Sequence, residues 1–504
     1  MDINRRDLLK AGVGLTAMSF LPGCGLGGGG EGTGTPGILR VGALGQPSDI
    51  MRDPHERIPN DSDFMIMSLV YDTLTTPAAD PNVAPRLASK WAADSSLQKW
   101  RFTMSPDAKF HDGSPVTAED TAWSLRRLFK IGGTSRVPVR SGDDIYAESG
   151  ELVIVTPEPN RLLPVLMRIN SFTVKKGTTD FEEGAIGSGP FKLESFENGN
   201  ARLTRNPDWH LHKPSLEAIQ ITRFDDVSAL LNAVLSGQID LASNVGPIAA
   251  RSAKDRGNLT VVRRPDNSTI SIVTHTSKGP FTDVRVRQAM RLATDREALV
   301  QQVYSGFGKV GNDILGTADP AYAASIPQRA RDVDEAKALL SAAGLDTSQR
   351  YPLLTKQDYP GEIEAAKAFA VQMRDIGLNI DVVVQEDNVF YERSWAKAPL
   401  YTNGRETMDS ALFLAKNYMV SSAEDNETGF RDAEFDKAVA RALRAEDEAE
   451  FVEAARAVQQ IEYDRGGYIV WGIADGIDIA GPGVKNLPKL GGTGRLQLWN
   501  ASKS

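Results

Sequence analysis

Apolar positions along the chain fall in two spacings, and the two spacings take turns. From Ile38 to Ala43, apolar and polar side chains alternate, the period of a strand with one buried face. Between Lys99 and Phe110, Trp100, Phe102 and Met104 alternate with Arg101 and Thr103, which predicts a second strand. Met65 to Leu74 carries a short helical pattern ending in Tyr71-Asp72-Thr73-Leu74. Pro115 to Asp120 opens another helix, with Thr117 as cap, Asp120 in the capping-box position, and Leu125, Leu128 and Phe129 as its stripe. Val286, Ala289, Met290 and Ala293 stand at i, i+3, i+4 and i+7, one buried helical face. Thr294-Asp295-Arg296-Glu297 reads as a capping box that starts the next helix at once. Asp332 to Glu335 begins a helix carrying Ala336, Leu339, Leu340 and Ala343, and Gly344 stops it. Ile363 to Ile376 is helical and closed by Gly377, and the strand Leu378 to Val384 follows. Phe435, Val439, Ala442 and Leu443 mark a late helix among many charges. Helices alternating with strands predict an α/β chain.

The first residues follow another grammar. Asn4-Arg5-Arg6-Asp7 precedes an apolar stretch, Ala11 to Phe20, and then Leu21-Pro22-Gly23-Cys24. The stretch is shorter than the ~20 apolar residues that span a bilayer. With a charged start and small residues before the cleavage point, it reads as an export signal over 1–24. A weakly apolar core after Arg5 and Arg6 suits the twin-arginine route. Leu-Pro-Gly-Cys resembles a bacterial lipobox, whose thiol takes a diacylglycerol, so Cys24 is the expected lipid-attachment site. Residues 25–37, with Gly27 to Gly30 in a row, read as a tether.

Composition narrows the choice of function. About 470 residues remain after the signal and tether, enough for two or three domains. A formal charge of −9 leaves no basic field for nucleic acid. Cys24 is the single cysteine, so disulfides are excluded and the core alone stabilises the fold. Gly306 to Gly311 matches G-x-G-x-x-G by letter but follows a helical pattern, whereas a dinucleotide loop follows a strand. Ser96 to Lys99 and Ser394 to Lys397 match S-x-x-K without the companion motifs. His210-Leu211-His212 could offer two imidazoles to a metal, but beside Asp208, Lys213 and Pro214 it reads as a surface loop. No cofactor and no metal are expected. A chain of this length without a nucleophile–base pair or metal constellation reads as a binder rather than an enzyme.

Six runs in order carry a family resemblance. They are Pro85 to Trp91, Phe110 to Asp120, Gly187-Ser188-Gly189-Pro190-Phe191, Asn206 to Trp209, Gly237 to Asp240, and Val284 to Met290 continued by Thr294 to Glu297. Together they resemble the solute-binding proteins of peptide, nickel and opine importers, family 5 of the extracellular class, over roughly residues 38 to 500. The resemblance implies an α/β, type II periplasmic-binding fold of cluster C: two main lobes, an inserted third domain, and a hinge. Lobe I is expected at 38–75, 186–270 and 475–504, the lobe II insertion at 76–185, and lobe III at 271–474. Solute would lie between lobes I and III, and hinge closure would present it to a permease.

In peptide-binding relatives an aspartate of lobe III, within A-D-Y-x-[DE]-P, pairs with the peptide's α-ammonium. The matching stretch here is Arg405-Glu406-Thr407-Met408-Asp409-Ser410. Glu406 takes the aspartate's place and Asp409 that of the second acid, while Arg405 could take a substrate carboxylate or neutralise Glu406. The alternative role for Glu406 and Asp409 is to cap the helix starting near Ser410. Asn403 joins these three as an expected contact, with Tyr71 and Asp72 from a lobe I loop. The expected function is a lipid-anchored, monomeric receptor on the outer face of the cytoplasmic membrane. It would carry a short peptide or peptide-like solute to ABC permease and ATPase subunits. The alternatives are a nickel chelate, opine or oligosaccharide on the same fold, and an exported hydrolase.

Overall fold

Two long antiparallel strands, Thr260–Thr274 and Gly472–Ala480, run through the middle of the molecule and belong to both of its main halves. The computed structural model describes residues 37–504 apart from 46–51, 57, 59, 79–82, 133–136, 169–170, 182–185, 255, 318, 320, 358 and 407–409. Arg5, Arg6, Cys24 and Asp409 therefore lie outside the described residues. The two long strands pair from Thr260 opposite Ala480 to Arg264 opposite Gly476, and the register then shifts before Ser268 meets Ala474. Residues 265–267 form the bulge, with Asp266 in the left-handed region at φ 57°. A bulge bends and twists a strand, and here it falls where the sheet passes from one half to the other.

On one side of the crossing, Leu241–Ala242 pairs with Gly472–Ala480, and Ile38–Leu44 runs parallel to both Leu241–Ala242 and Ala218–Phe224. Asn200–Arg205 and Phe191–Glu197 complete that edge. Leu39, Val41, Leu69, Ile219 and Trp499 share its core. On the other side, Leu400–Glu406 pairs antiparallel with Ser268 to Thr274, and Arg350–Thr355 and Asn379–Val384 extend the sheet. Successive strand residues face opposite ways. Ile272 and Leu400 thus join a core with Met290, Leu299 and Phe369, while Val273 and Tyr401 join one with Leu412, Phe435 and Val458. A separate antiparallel sheet, Ala88–Ala93, Lys99–Met104, Glu151–Val155 and Ile145–Glu148, packs Phe102, Leu152 and Ile154 with Leu125 and Leu128 of the helix Ala118–Gly132.

Most patterned elements form where their periodicity places them. Thr117 and Asp120 cap one another reciprocally, Asp120 Oδ2 accepting from the Thr117 N–H at 2.9 Å and Thr117 Oγ1 from the Asp120 N–H at 3.2 Å. Two starts differ from the sequence reading. The first helix spans Asp61–Val70 rather than Met65 to Leu74, because acids in its first turn (Asp61 and Asp63) suit the positive end of the helix dipole. Thr294 does not open a capping box: its hydroxyl donates back to the Met290 carbonyl at 2.7 Å, and Asp295 caps the helix Arg296–Tyr304 by accepting from Ala298 N. Gly306, at φ 78°, turns the chain after that helix into the short strand Gly308–Val310.

Candidate ligand chamber

The strand Leu400–Glu406 sets Asn403 and Arg405 on one face and Glu406 on the other. The face with Arg405 meets a buried acid that the sequence reading missed. Glu427 is 1% exposed and accepts from Tyr468 OH at 2.7 Å, Asn403 Nδ2 at 2.9 Å and Trp395 Nε1 at 3.2 Å. It also forms an ion pair with the Arg405 guanidinium, whose carbon lies 3.8 Å from the centre of the Tyr418 ring. Burial opposes the charge on Arg405, but the Glu427 carboxylate outweighs it and raises its pKa. Burial and the same carboxylate push the Tyr468 phenol well above its ordinary value. Arg405 is thus neutralised by Glu427, not by Glu406. No pattern signals Glu427, because it sits in Glu424-Asp425-Asn426-Glu427, which reads as an exposed acidic run.

Tyr418 ends the helix Ala411–Tyr418, which Ser410 caps by accepting from Phe413 N. Asp319, from a distant loop, accepts from Ala411 N at 2.7 Å, an acid at the helix start. Beyond Tyr418 opens a chamber of about 400 Å³. Val139, Asn160 and Leu166 line one side, and Phe413, Tyr418 and Asp425 the other. Burial, with Glu424 and Glu427 nearby, raises the pKa of Asp425. Arg161 ties the two walls together. Its backbone N–H donates to Leu443 O at 3.0 Å, its guanidinium to Ala445 O at 3.2 Å, and it pairs with Glu448 over the Phe451 ring. Lys416 and Glu158 add a pair at 3.4 Å.

The remaining expected contacts are placed elsewhere. Asp72 is fully buried, bonded by Arg86 Nε at 2.6 Å and Trp209 Nε1 at 3.2 Å, in the interior beside the first helix. Arg86 also donates to the carbonyls of Ser68 and Tyr71 and stacks on Trp499. Tyr71 is buried against Phe172, and its phenol has no partner among the described residues. In the His210-Leu211-His212 segment, Leu211 and His212 are exposed as a surface loop requires, but the His210 side chain is 1% exposed, with Nε2 donating to Arg86 O at 2.8 Å. Burial wins because the ring fills the space between Trp209 and Asp72. Glu406, on its own face of the strand, stands 3.9 Å from Arg495 Nη2, and Arg495 is paired with Asp61 at the start of the first helix. Among the described residues no group of three His, Cys, Asp or Glu side chains is arranged to hold a metal, and no helix is long and apolar enough to cross a membrane.

Residues 82–413 match the family described as bacterial extracellular solute-binding proteins, family 5 Middle. The probable D,D-dipeptide-binding periplasmic protein DdpA of Escherichia coli is 24% identical over 457 residues, covering 86% of this chain and 87% of its own. The structure is similar to NikZ from Campylobacter jejuni in complex with Ni(L-His), at TM-score 0.78 and 18% identity, over 93% of this chain and all of that one. It is equally similar to AgaA in complex with agropinic acid from A. tumefacien R10, at TM-score 0.78 and 20% identity, over 93% of this chain and 99% of that one. The fold is the type II periplasmic-binding fold, and the chain is a binding protein rather than an enzyme. It belongs to family 5 of the bacterial extracellular solute-binding proteins, which deliver solutes to ABC permeases.

Proposed function

We propose that the chain captures a short peptide or peptide-like solute by hinge closure and hands it, as a lipid-anchored monomer, to an ATP-driven permease. The observation that carries this reading is the chamber of about 400 Å³, whose walls come from the lobe II segment and lobe III, not from lobes I and III as the sequence resemblance implies. Small-molecule sites occupy roughly 300–1,000 Å³ and combine apolar walls with a few polar groups. Val139, Leu166 and Phe413 would take apolar side chains, and Asp425 with Glu158 would favour an ammonium. Arg405 acts from behind Tyr418: held by Glu427, it stiffens the wall rather than meeting the solute.

The crossing of Thr260–Thr274 and Gly472–Ala480 is the hinge, with the 265–267 bulge absorbing the bend. This supports lobe boundaries near 270 and 474, with 38–75, 186–270 and 475–504 as lobe I, 76–185 as lobe II and 271–474 as lobe III. A solute shifts the open–closed balance only by its differential affinity for the two forms, so it must touch both walls. Arg161 and Lys416 are contacts made across the chamber, and they add to the closed form alone.

Export by the twin-arginine signal and acylation of Cys24 would hold the receptor at the membrane, where the tether raises its effective concentration near the permease. Cys24→Ala is expected to move the protein from the membrane to the soluble fraction, and retention after a salt wash would count against the anchor. The capture reading is tested by the mass spectrum of small molecules released when natively purified protein is denatured. Peptides or amino-acid derivatives in near-stoichiometric amount are expected. Turnover of a peptide by the purified protein would overturn the reading.

A further inference from the structure

Resting on the capture reading, we infer that a pair of buried arginines at the strand crossing, Arg264 and Arg495, reads a carboxylate on the solute. Arg264 is fully buried on the last paired residue before the bulge. Its Nη1 pairs with Asp478, whose other oxygen accepts from Asn244 N at 2.8 Å. Arg264 Nε and Nη2 have no acceptor among the described residues. Arg495, 5% exposed, repeats the arrangement from the turn Gly492–Leu496: Nη2 pairs with Asp61, while Nε and Nη1 have no acceptor among the described residues.

The two arginines belong to one patch. Asn267, in the bulge, accepts from Gly492 N at 3.2 Å and so fastens the turn that carries Arg495 to the strand that carries Arg264. Asp478 is close enough for its charge to bear on both. Gly476 faces Arg264 across the ladder, and a Cβ there would stand 3.0 Å from Arg264 Nη2 and 2.7 Å from Asn267 Oδ1. The glycine lets the strand pass this close to Arg264 and Asn267, where a side chain would not fit.

Buried polar groups are almost always satisfied, and an arginine fork suits a planar carboxylate. Each arginine has spent one nitrogen on a carboxylate that fixes its position and keeps others free. That is how a preset anion reader is built: the internal acid orients the guanidinium, and the remaining donors wait for an external acceptor. Placed at the crossing, the pair is touched by strands from both halves, so an anion bound there stabilises one hinge angle over others. Glu406, 3.9 Å from Arg495, disfavours a second negative charge on that side and so orients the solute.

The test compares the natively purified full chain with Arg495→Lys, Arg264→Lys and Gly476→Ala. The probes are free-acid di- and tripeptides, their C-terminal amides, and neutral oligosaccharides, read by thermal shift and calorimetry. Arg495→Lys can keep its pair with Asp61 and loses the fork. Gly476→Ala presses a methyl group onto Asn267 Oδ1 and Arg264 Nη2 and so displaces the patch from the strand opposite. Wild type is expected to bind a free acid at least tenfold more tightly than its amide. Arg495→Lys and Gly476→Ala are expected to bring that ratio near one, and Arg495→Lys to melt within a few degrees of wild type. Equal affinity for acid and amide, preference for oligosaccharides, or a preference retained in both of these variants overturns the inference and leaves solute capture standing. A wild type that binds no probe and releases no solute on denaturation contradicts the capture reading itself.

Discussion

Replacing Glu427 with glutamine removes a single buried charge from behind the chamber wall and changes the shape of the side chain hardly at all. The amide oxygen can still accept from Asn403 and Trp395, and the Tyr468 phenol can turn to accept from the new NH₂ group. What is lost is the counter-charge of Arg405, whose side chain is 14% exposed and stacked on Tyr418. Removing one partner of a buried ion pair costs about 3–5 kcal/mol, because the survivor is left charged out of water. The residual exposure of Arg405 and its contact with the Tyr418 ring place Glu427→Gln near the lower end, about 3 kcal/mol. Arg405→Met strands the carboxylate instead, but three donors still serve it, so its cost is about 2 kcal/mol. The double variant has no stranded charge and is expected to recover about 2 kcal/mol relative to the sum. Urea denaturation at pH 7 of the four proteins measures this coupling. A loss below about 1 kcal/mol for Glu427→Gln, or strict additivity in the double variant, would refute the assignment of Glu427 as the counter-ion.

Three further outcomes are expected. Gly187→Ala should prevent accumulation of folded protein, because its Cβ would fall onto the Val70 carbonyl; soluble expression with an unchanged melting temperature would contradict this. Burial, helped by the Lys278 charge, lowers the His275 pKa from 6.5 to about 4. The folded state then binds fewer protons than the unfolded state between those values, so the stability tied to neutral His275 is full above pH 6.5 and lost on acidification toward pH 4. The stability advantage of wild type over His275→Asn should shrink across that window, and a constant difference would exclude it. Arg161→Ala removes the contacts to Ala445, Glu448 and Phe451 but leaves every core intact, so it should weaken solute binding several-fold, through faster release, with a melting temperature within a few degrees of wild type. Unchanged release kinetics would show that Arg161 does not hold the chamber shut.

How much of this the chain announces depends on how local the cause is. Thr117 and Asp120 lie three residues apart and cap each other, so spacing alone reveals them. Gly187 and Gly189 stand out in a short run, and the structure supplies the reason: the segment passes so close to the end of the first helix that no side chain fits. Thr294 misleads because a threonine can serve the helix behind it as well as the one ahead, and here its hydroxyl goes back to Met290. Asp72 looks like a cleft acid until Arg86 is seen to reach it; that arginine belongs to Pro85-Arg86-Leu87, a run legible as a motif but silent about its partner. Glu427 is least legible of all. Its partners lie 22 to 41 residues away, on elements that only the tertiary fold brings together. Arg264 and Arg495 are hidden for the same reason, since what marks them is donors without an acceptor among the described residues rather than any spacing along the chain.

The central claim is that solute draws two halves together about the crossing of Thr260–Thr274 and Gly472–Ala480. Small-angle scattering tests it most directly, on protein stripped of solute by unfolding and refolding, and again after the released solute is returned. The account predicts a smaller radius of gyration on return of the solute, saturating at one equivalent. Identical scattering with and without solute, at concentrations where calorimetry shows it bound, would contradict it.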